Sequence, residues 1–246
     1  MKSILAILAV LLVVGCSGGV DTTLFSPEEH YNYAFSLFED EDYMEAQTEF
    51  QSILLQYPGS AINDDAQYYL GMTYFNRGQY LLAAYEFSKL IRDIPASEYV
   101  TDSQYMLAES YYQLSPPYQL DQAYTKKAIE EFQAFIDYFP LSPKVEEAEQ
   151  KINELNNKLA KKLYNNALIY EKMNYYKAAI KYYGDVQEIY HDTEFGPKAL
   201  YKKIQLEIEK DDIASAKSDI NKFLVRYPDH ESAKEIQQLE EQLAQK

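Results

Sequence analysis

The side chains best suited to catalysis are few and scattered in this sequence. The histidines, His30, His191 and His230, lie far apart and lack the spacing of metal ligands. Carboxylate pairs such as Asp64-Asp65 precede predicted helices, where they stabilise the positive end of the helix dipole. The sequence contains neither a G-x-S-x-G nucleophile motif nor a phosphate-binding glycine loop. It therefore predicts a protein that is not an enzyme and that needs no metal or cofactor.

The one cysteine, Cys16, has the surroundings of a residue that is modified rather than oxidised. It follows the apolar run Ile4–Val14, whose eleven residues are too few to span a bilayer and suit the core of a signal peptide. Val13-Val14-Gly15-Cys16 resembles a bacterial lipobox, at which the leader is cut and the cysteine acylated. We therefore predict a lipoprotein signal peptide over 1–15, lipidation such as palmitate at Cys16, and a short tether over 16–26.

Repeated helical hairpins are the elements that would position any binding surface. The clearest repeat begins at Asp64, and it has the residue types of a tetratricopeptide (TPR) repeat, which is about 34 residues long. Counted from Asp64, the residues that carry this pattern are Gly71 at position 8, Tyr74 at 11, Ala83 at 20, Phe87 at 24 and Pro95 at 32. Small residues allow two antiparallel helices to approach closely. Because one hairpin cannot bury its own apolar faces, the pattern predicts a stack of neighbours.

The same spacing recurs along the chain and predicts an all-α, TPR-like solenoid of about five repeats. Repeats 1–3 occupy 27–143, and Ser26 is positioned to cap the first helix. An eight-residue insertion near Ser115–Tyr118 lengthens the third loop, and either partner contact or simple tolerance explains it. The segment 144–246 then holds a long connecting helix, repeats 4 and 5, and a terminal helix. The fifth repeat is the weakest match, since Ile204 stands where a small residue is usual.

Composition supports packed helices and argues against some partners. Hydrophobic residues make up 47% of the chain, while glycine and proline number only 8 and 9. The formal net charge of −16 would repel nucleic-acid phosphates, and it disfavours a broad electrostatic contact with anionic lipid. We therefore expect no nucleic-acid partner, and contact with the lipid bilayer only through the acyl anchor.

Aromatic residues that the hairpin cores do not need suggest a peptide-binding groove. Positions 5, 9 and 12 of the first helix in each repeat point towards the concave face. In repeats 1–3 the groove candidates at these positions are Tyr31, Phe35, Phe38, Tyr68, Met72, Phe75, Tyr105 and Tyr112. Such rings offer large contact area to a peptide at low entropic cost. The alternative is that they pack against the tether or the next hairpin.

The combination of these features resembles the BamD family, the outer-membrane lipoproteins of the β-barrel assembly (BAM) machinery. The resemblance rests on the leader with Cys16, the five hairpins, the inserted third loop, and the block from AIEEFQAFIDYFP to YYKAAI. It implies a lipid-anchored scaffold on the periplasmic face of the outer membrane that helps to recognise and insert outer-membrane proteins. It also implies that the N-terminal half meets unfolded clients and that the C-terminal half docks BamA-like POTRA domains.

Two other classes of protein remain open from the residues alone. One is a TPR lipoprotein scaffold for pilus, secretion or Tol-Pal and cell-division assembly, since Tyr57–Ser60 is similar to the repeat endings of the periplasmic Tol-Pal TPR protein. The other is a lipid-anchored enzyme, which the missing motifs disfavour. The proteins enriched from membranes would discriminate these classes.

Overall fold

The computed structural model describes residues 21–244, so the predicted signal peptide and the predicted lipid site at Cys16 lie outside the described residues. Within that range the chain is all-α, which confirms the predicted fold class, and it contains no strand. A short 3₁₀ turn, Thr22–Leu24, precedes eleven helices. The helices are α1 Pro27–Glu39, α2 Tyr43–Gln56, α3 Asn63–Asn76, α4 Tyr80–Asp93, α5 Val100–Leu114, α6 Ala123–Tyr138, α7 Val145–Lys172, α8 Tyr176–Ile189, α9 Phe195–Glu209, α10 Ile213–Arg226 and α11 Ala233–Ala244.

The first helix begins at a reciprocal cap that the sequence predicts. Ser26 Oγ accepts a hydrogen bond from the backbone N–H of Glu29 (3.3 Å), and Glu29 Oε2 accepts one from the N–H of Ser26 (2.8 Å). Pro27 occupies the first helical position, where no backbone donor is needed. Together these residues satisfy donors that a helix start leaves free, and they fix where repeat 1 begins.

Each helix packs mainly against the helices before and after it in sequence, as expected for a stack of hairpins. The additional contacts join α1 to α3 and α7 to α9, which are first helices of successive hairpins. Small residues at position 8, Ala34, Gly71, Ala108 and Ala167, are all buried where two helices meet. In the fifth hairpin Ile204 is also fully buried, so the larger residue is accommodated in the core.

In four of the five hairpins the first helix ends in the same way. A residue with positive φ follows the helix: Glu41 (64°), Gly78 (70°), Asn174 (62°) and Asp211 (61°). The next residue then donates its N–H to a carbonyl five residues earlier, for example Gln79 to Tyr74 at 2.9 Å. This is the Schellman arrangement, which satisfies carbonyls at a helix end.

The third hairpin replaces that turn with the predicted insertion, and the insertion packs on its own chain. Lys158 Nζ of α7 donates to Ser115 Oγ at 2.9 Å, and Lys162 Nζ donates to the carbonyl of Leu120 at 2.6 Å. Gln122 ties the loop together by donating to the carbonyls of Pro117 (2.9 Å) and Leu120 (3.0 Å). The loop therefore braces α7 against repeat 3.

The long helix α7 joins the two halves of the array. Its 28 residues span about 42 Å at the usual helical rise. Ala148 and Leu155 pack into the core of repeat 3, whereas Ala160 and Ala167 pack into the core of repeat 4. One continuous helix thus contributes to two neighbouring cores. No helix between residues 21 and 244 combines the length and apolarity needed to cross a bilayer.

Candidate protein-binding surfaces

Six rings from α1, α3 and the start of α5 form what we call the N-terminal aromatic cluster. Its members are Tyr31, Phe35, Phe38, Tyr68, Tyr69 and Tyr99. Tyr69 lies at its centre, with ring centroids 4.8 Å from Phe35, 5.3 Å from Phe38 and 6.3 Å from Tyr31. These edge and tilted geometries are the ones that aromatic pairs prefer. The cluster thus links the first helices of repeats 1 and 2.

Tyr99 extends the cluster towards repeat 3. Its ring stacks on Tyr68 with centroids 4.6 Å apart, and its hydroxyl donates to Asp65 Oδ1 at 2.7 Å. Sequence reasoning missed both Tyr69 and Tyr99, because neither stands at a position that the TPR pattern assigns to the groove. The sequence offered one signal for each: Tyr69 is adjacent to the groove candidate Tyr68, and Tyr99 immediately precedes α5.

The predicted groove residues of repeats 1 and 2 are neither fully open nor sealed. Tyr31, Phe35, Phe38, Tyr68, Met72 and Phe75 are all half-buried and pack on the core of these two repeats. Each ring therefore contacts neighbouring side chains and keeps part of its surface in solvent. The structure brings these six predicted residues together around the core of repeats 1 and 2, and Phe35 and Phe38 also contact Tyr69 of the next hairpin.

The third repeat departs from the predicted groove, and Tyr105 requires a correction. Only 5% of Tyr105 is exposed, and its ring packs against Phe132 (5.8 Å) and Phe135 (5.3 Å). Lys144 Nζ lies 4.6 Å from the ring centroid and binds Asp102 Oδ1 at 3.0 Å. Tyr105 is therefore a packing residue beneath α7, because the lysines of that helix cover it.

Tyr112 is also engaged by α7, although it remains half-buried. Its hydroxyl donates to Glu154 Oε2 at 2.7 Å, and Lys151 Nζ lies 4.8 Å from its ring centroid. Lys151 also forms an ion pair with Glu109, which is the groove-facing residue at position 9 of this repeat. The open part of the predicted groove thus ends before repeat 3.

Carboxylates lie close to the hydroxyl groups of the N-terminal aromatic cluster. Burial, followed by the charge of Asp102, raises the pKa of Tyr68 to about 12. Burial is also the main cause of the raised pKa of Tyr31, and Asp65 adds to it. The pKa of Tyr69 is raised by burial and then by Asp65 and Glu39. The phenols stay protonated at neutral pH, in a negative environment.

Charge is distributed unevenly along the array. Residues 21–143 contain 20 acidic and 5 basic side chains, whereas residues 144–210 contain 11 acidic and 12 basic ones. The first three repeats thus hold nearly all of the net negative charge of the chain. The two halves present different electrostatic surfaces to partners.

In repeats 4 and 5, several groove-facing residues bind their own chain. The ring of Tyr164 lies 5.5 Å from both Tyr183 and Phe195. Glu171 accepts hydrogen bonds from Tyr183 Oη (2.6 Å) and Lys202 Nζ (3.2 Å). These contacts stabilise the stacking of α7, α8 and α9.

A second surface, which we call the C-terminal apolar strip, lies along the end of α7. It consists of Leu120, Ile169, Met173 and Tyr175, each of which is 54–58% exposed. Ile169 lies in the last turn of α7, Met173 caps the end of that helix, Leu120 comes from the insertion, and Tyr175 follows in the turn. Exposed apolar residues that are grouped in one region of a surface commonly mark an interaction site.

A cavity of about 730 Å³ adjoins the strip at the turns of repeats 4 and 5. Tyr170, Tyr175, Tyr176, Ile180 and Lys210 are among its lining residues. Lys210 Nζ lies 3.3 Å from the ring centroid of Tyr176. On the other side, Lys162 and Lys172 line a smaller hollow with Ile169. The strip is therefore apolar at its centre and bordered by lysines.

The described residues offer no arrangement that would hold a metal ion through three or more histidine, cysteine, aspartate or glutamate side chains. The fold and its two surfaces define a helical-repeat protein of the tetratricopeptide type. A family model described as YfiO, outer membrane lipoprotein, matches residues 25–208. The chain belongs to this family of outer membrane lipoproteins, and the predicted membership of the BamD family is confirmed.

Solved structures with similar helical arrays were also found, whereas a search of curated proteins found no match. A thermophilic TPR protein from Thermus thermophilus has a TM-score of 0.38 and 16% identity, covering 90% of this chain and 100% of that one. The TPR2AB domain of yeast Sti1, solved as its pHSP90 complex, has a TM-score of 0.40 and 14% identity, covering 89% and 98%. The C-terminal part of a TPR repeat-containing protein from Cytophaga hutchinsonii has a TM-score of 0.43 and 16% identity, covering 88% and 75%.

Proposed function

We propose that this outer membrane lipoprotein is a non-catalytic scaffold of the β-barrel assembly machinery, which helps to recognise and insert outer-membrane proteins. The observation that carries the proposal is the presence of two unlike surfaces on one helical array. The N-terminal aromatic cluster is half-buried and lies in the acidic half of the chain, whereas the C-terminal apolar strip is exposed and bordered by lysines. An array with two such surfaces can hold two polypeptides at once.

The N-terminal aromatic cluster, together with Met72 and Phe75, is proposed to bind unfolded outer-membrane protein clients. The exposed parts of its rings would pack on aromatic or aliphatic side chains of an extended client segment. Because the rings already pack on one another, little side-chain freedom is lost when a client binds. This preorganisation lowers the entropic cost of binding, so a client segment that makes few contacts can still be held.

The C-terminal apolar strip is proposed to dock a BamA-like POTRA domain. Leu120, Ile169, Met173 and Tyr175 would form the buried centre of that interface, with Lys162 and Lys172 at its edge. An apolar centre with a polar rim is the usual anatomy of protein interfaces. The helix α7, which is braced by the insertion, would keep the client surface and the docking surface at a fixed separation.

Site-specific crosslinking tests the docking proposal. A photo-crosslinking residue in place of Ile169 should capture BamA from the membranes of cells that carry the full chain. The matched control is Val225 on α10, which is 75% exposed and lies outside the strip. Adducts with pilus, secretion or Tol-Pal components instead of BamA would contradict the proposal and favour the other scaffold class.

The lipid anchor is proposed to be attached to Cys16 and to hold the chain on the periplasmic face of the outer membrane. A Cys16→Ser variant should fail to incorporate labelled palmitate and should leave the outer-membrane fraction. The unmodified thiol lacks the acyl chains that supply the apolar binding energy. Undiminished labelling of this variant would rule out Cys16 as the lipid site.

A further inference from the structure

Repeat 3 shows how a cation binds to the concave face of this array. Lys144 Nζ lies between the Asp102 carboxylate (3.0 Å) and the ring of Tyr105 (4.6 Å). Lys151 makes the same kind of pair with the Glu109 carboxylate and the ring of Tyr112. Both lysines come from α7 or the residue that precedes it. Rings beside carboxylates therefore attract ammonium groups on this face through cation–π and ionic contacts acting together.

Repeats 1 and 2 carry rings and carboxylates of the same kind, but no lysine or arginine contacts them in the described part of the chain. Every cation–π contact in the described part of the chain involves a ring at Tyr105 or later. No salt bridge in that part involves Glu28, Glu39, Asp64 or Asp65. Glu28 and Asp65 stand at position 2 of their repeats, as Asp102 does in repeat 3.

We propose that the N-terminal aromatic cluster selects client segments in which a lysine or arginine lies next to an aromatic residue. This inference rests on the proposed client-binding function and names the chemistry that it prefers. The client's aromatic side chain packs on the solvent-facing parts of the half-buried rings, and its cation lies beside the carboxylates of Glu28, Glu39 and Asp65. The client thus supplies the charge that α7 supplies in repeat 3.

The electrostatics of the whole N-terminal half act in the same direction. Residues 21–143 have 15 more acidic than basic side chains. At low salt, this negative charge and the positive charge of a client are only weakly screened from each other. A cationic segment is attracted at long range and then held by local contacts. An exposed ion pair contributes about 0.2–1 kcal/mol, so one cation changes affinity by about one- to fivefold. The preference should therefore decline as salt is added.

Three labelled peptides test the proposal against the full chain in detergent micelles. All end in the same aromatic residue, and two flanking positions are both Lys, both Gln or both Glu. We expect the Lys peptide to bind about tenfold more tightly than the Glu peptide at low ionic strength, with the Gln peptide between them. Fluorescence anisotropy at increasing salt should show the three affinities converging.

A pair of double variants locates the preference on the surface. Glu28→Gln with Glu39→Gln should reduce the advantage of the Lys peptide about threefold. The control, Glu240→Gln with Glu241→Gln on α11, removes the same charge far along the chain and should leave most of that advantage. Equal losses in both variants would overturn the local role of the N-terminal carboxylates.

The outcomes separate this inference from the function on which it rests. If the three peptides bind with measurable and equal affinity, the cation preference is overturned while client binding stands. If none of the peptides binds, the client-binding function itself is overturned. Tightest binding of the Glu peptide would show that a different surface, such as the lysine-bordered strip, holds the client.

Discussion

Adding one methyl group at Gly71 should destabilise the array, although glycine is a poor helix former. A Cβ at this position would lie 2.7, 2.9 and 3.0 Å from three ring atoms of Phe87. The Phe87 ring is fully buried between α3 and α4 and cannot move without disturbing the core. Real Cβ contacts do not come this close, so the Gly71→Ala variant must separate the two helices or rotate the ring.

The expected magnitude follows from two opposing terms. Replacing a glycine by alanine inside a helix contributes about 1 kcal/mol of stability. Overpacking a well-packed core costs about 1–3 kcal/mol. Gly184→Ala is the matched control, because a Cβ there meets only Lys203 Cε at an ordinary 3.7 Å. Subtracting one variant from the other cancels the helix term, and we expect Gly71→Ala to be less stable than Gly184→Ala by about 1–3 kcal/mol.

Urea unfolding measures this difference. The chain has no tryptophan, so far-ultraviolet circular dichroism and tyrosine fluorescence are the two probes, and coincident transitions justify a two-state fit. Phe87→Leu should partly rescue Gly71→Ala, since a smaller side chain vacates the space that the new methyl needs. If Gly71→Ala gains as much stability as Gly184→Ala, close approach at the ring does not explain the glycine, and the reasoning fails.

Two further predictions concern the second half of the chain and its pH dependence. Gly196→Ala should lower the free energy of unfolding by about 3 kcal/mol in the same urea assay. Its Cβ would overlap the backbone carbonyl of His191, which cannot rotate away as a side chain can. A loss of stability no larger than that of Gly71→Ala would contradict this prediction. Raised phenol pKa values, about 12 for Tyr68, Tyr112 and Tyr201, mean that the folded chain keeps protons that the unfolded chain releases near pH 10. Stability should therefore be fully present below pH 10 and fall as pH rises towards 12. An ultraviolet titration in which every tyrosine of the folded chain ionises near pH 10 would refute this.

The sequence was sufficient to predict the hairpins because their contacts are local. The small residues and rings that define a repeat meet within about 34 residues, so their spacing is visible in one stretch of chain. Ser26 and Glu29 likewise form a cap from residues three apart. The insertion near Ser115 was visible as a break in this spacing. What it contacts was not, since Lys158 and Lys162 lie more than forty residues away.

The candidate surface was harder to predict, because its openness depends on the next hairpin. Positions 5, 9 and 12 of repeats 1 and 2 hold half-buried side chains that pack on the core of these repeats. They do not state which residues of the following first helix cover those side chains. Tyr105 looks equivalent to Tyr31 and Tyr68 in sequence, yet only Tyr105 is buried beneath lysines. A pattern confined to one repeat cannot distinguish these cases.

The concave face of each hairpin is covered by the first helix of the next hairpin. The residue immediately before that helix and the residue seven positions later decide how it is covered. Ile62, Tyr99 and Lys144 immediately precede α3, α5 and α7, and the residues seven positions later are Tyr69, Met106 and Lys151. Where that pair is apolar or aromatic, as between the first three repeats, the junction is a layer of rings whose outer parts remain in solvent. Where it is a pair of lysines, the ammonium groups neutralise Asp102 and Glu109 and close the surface over Tyr105. The extent of the N-terminal aromatic cluster is thus set by Lys144 and α7, the same helix whose C-terminal end leads into the C-terminal apolar strip at Ile169 and Met173.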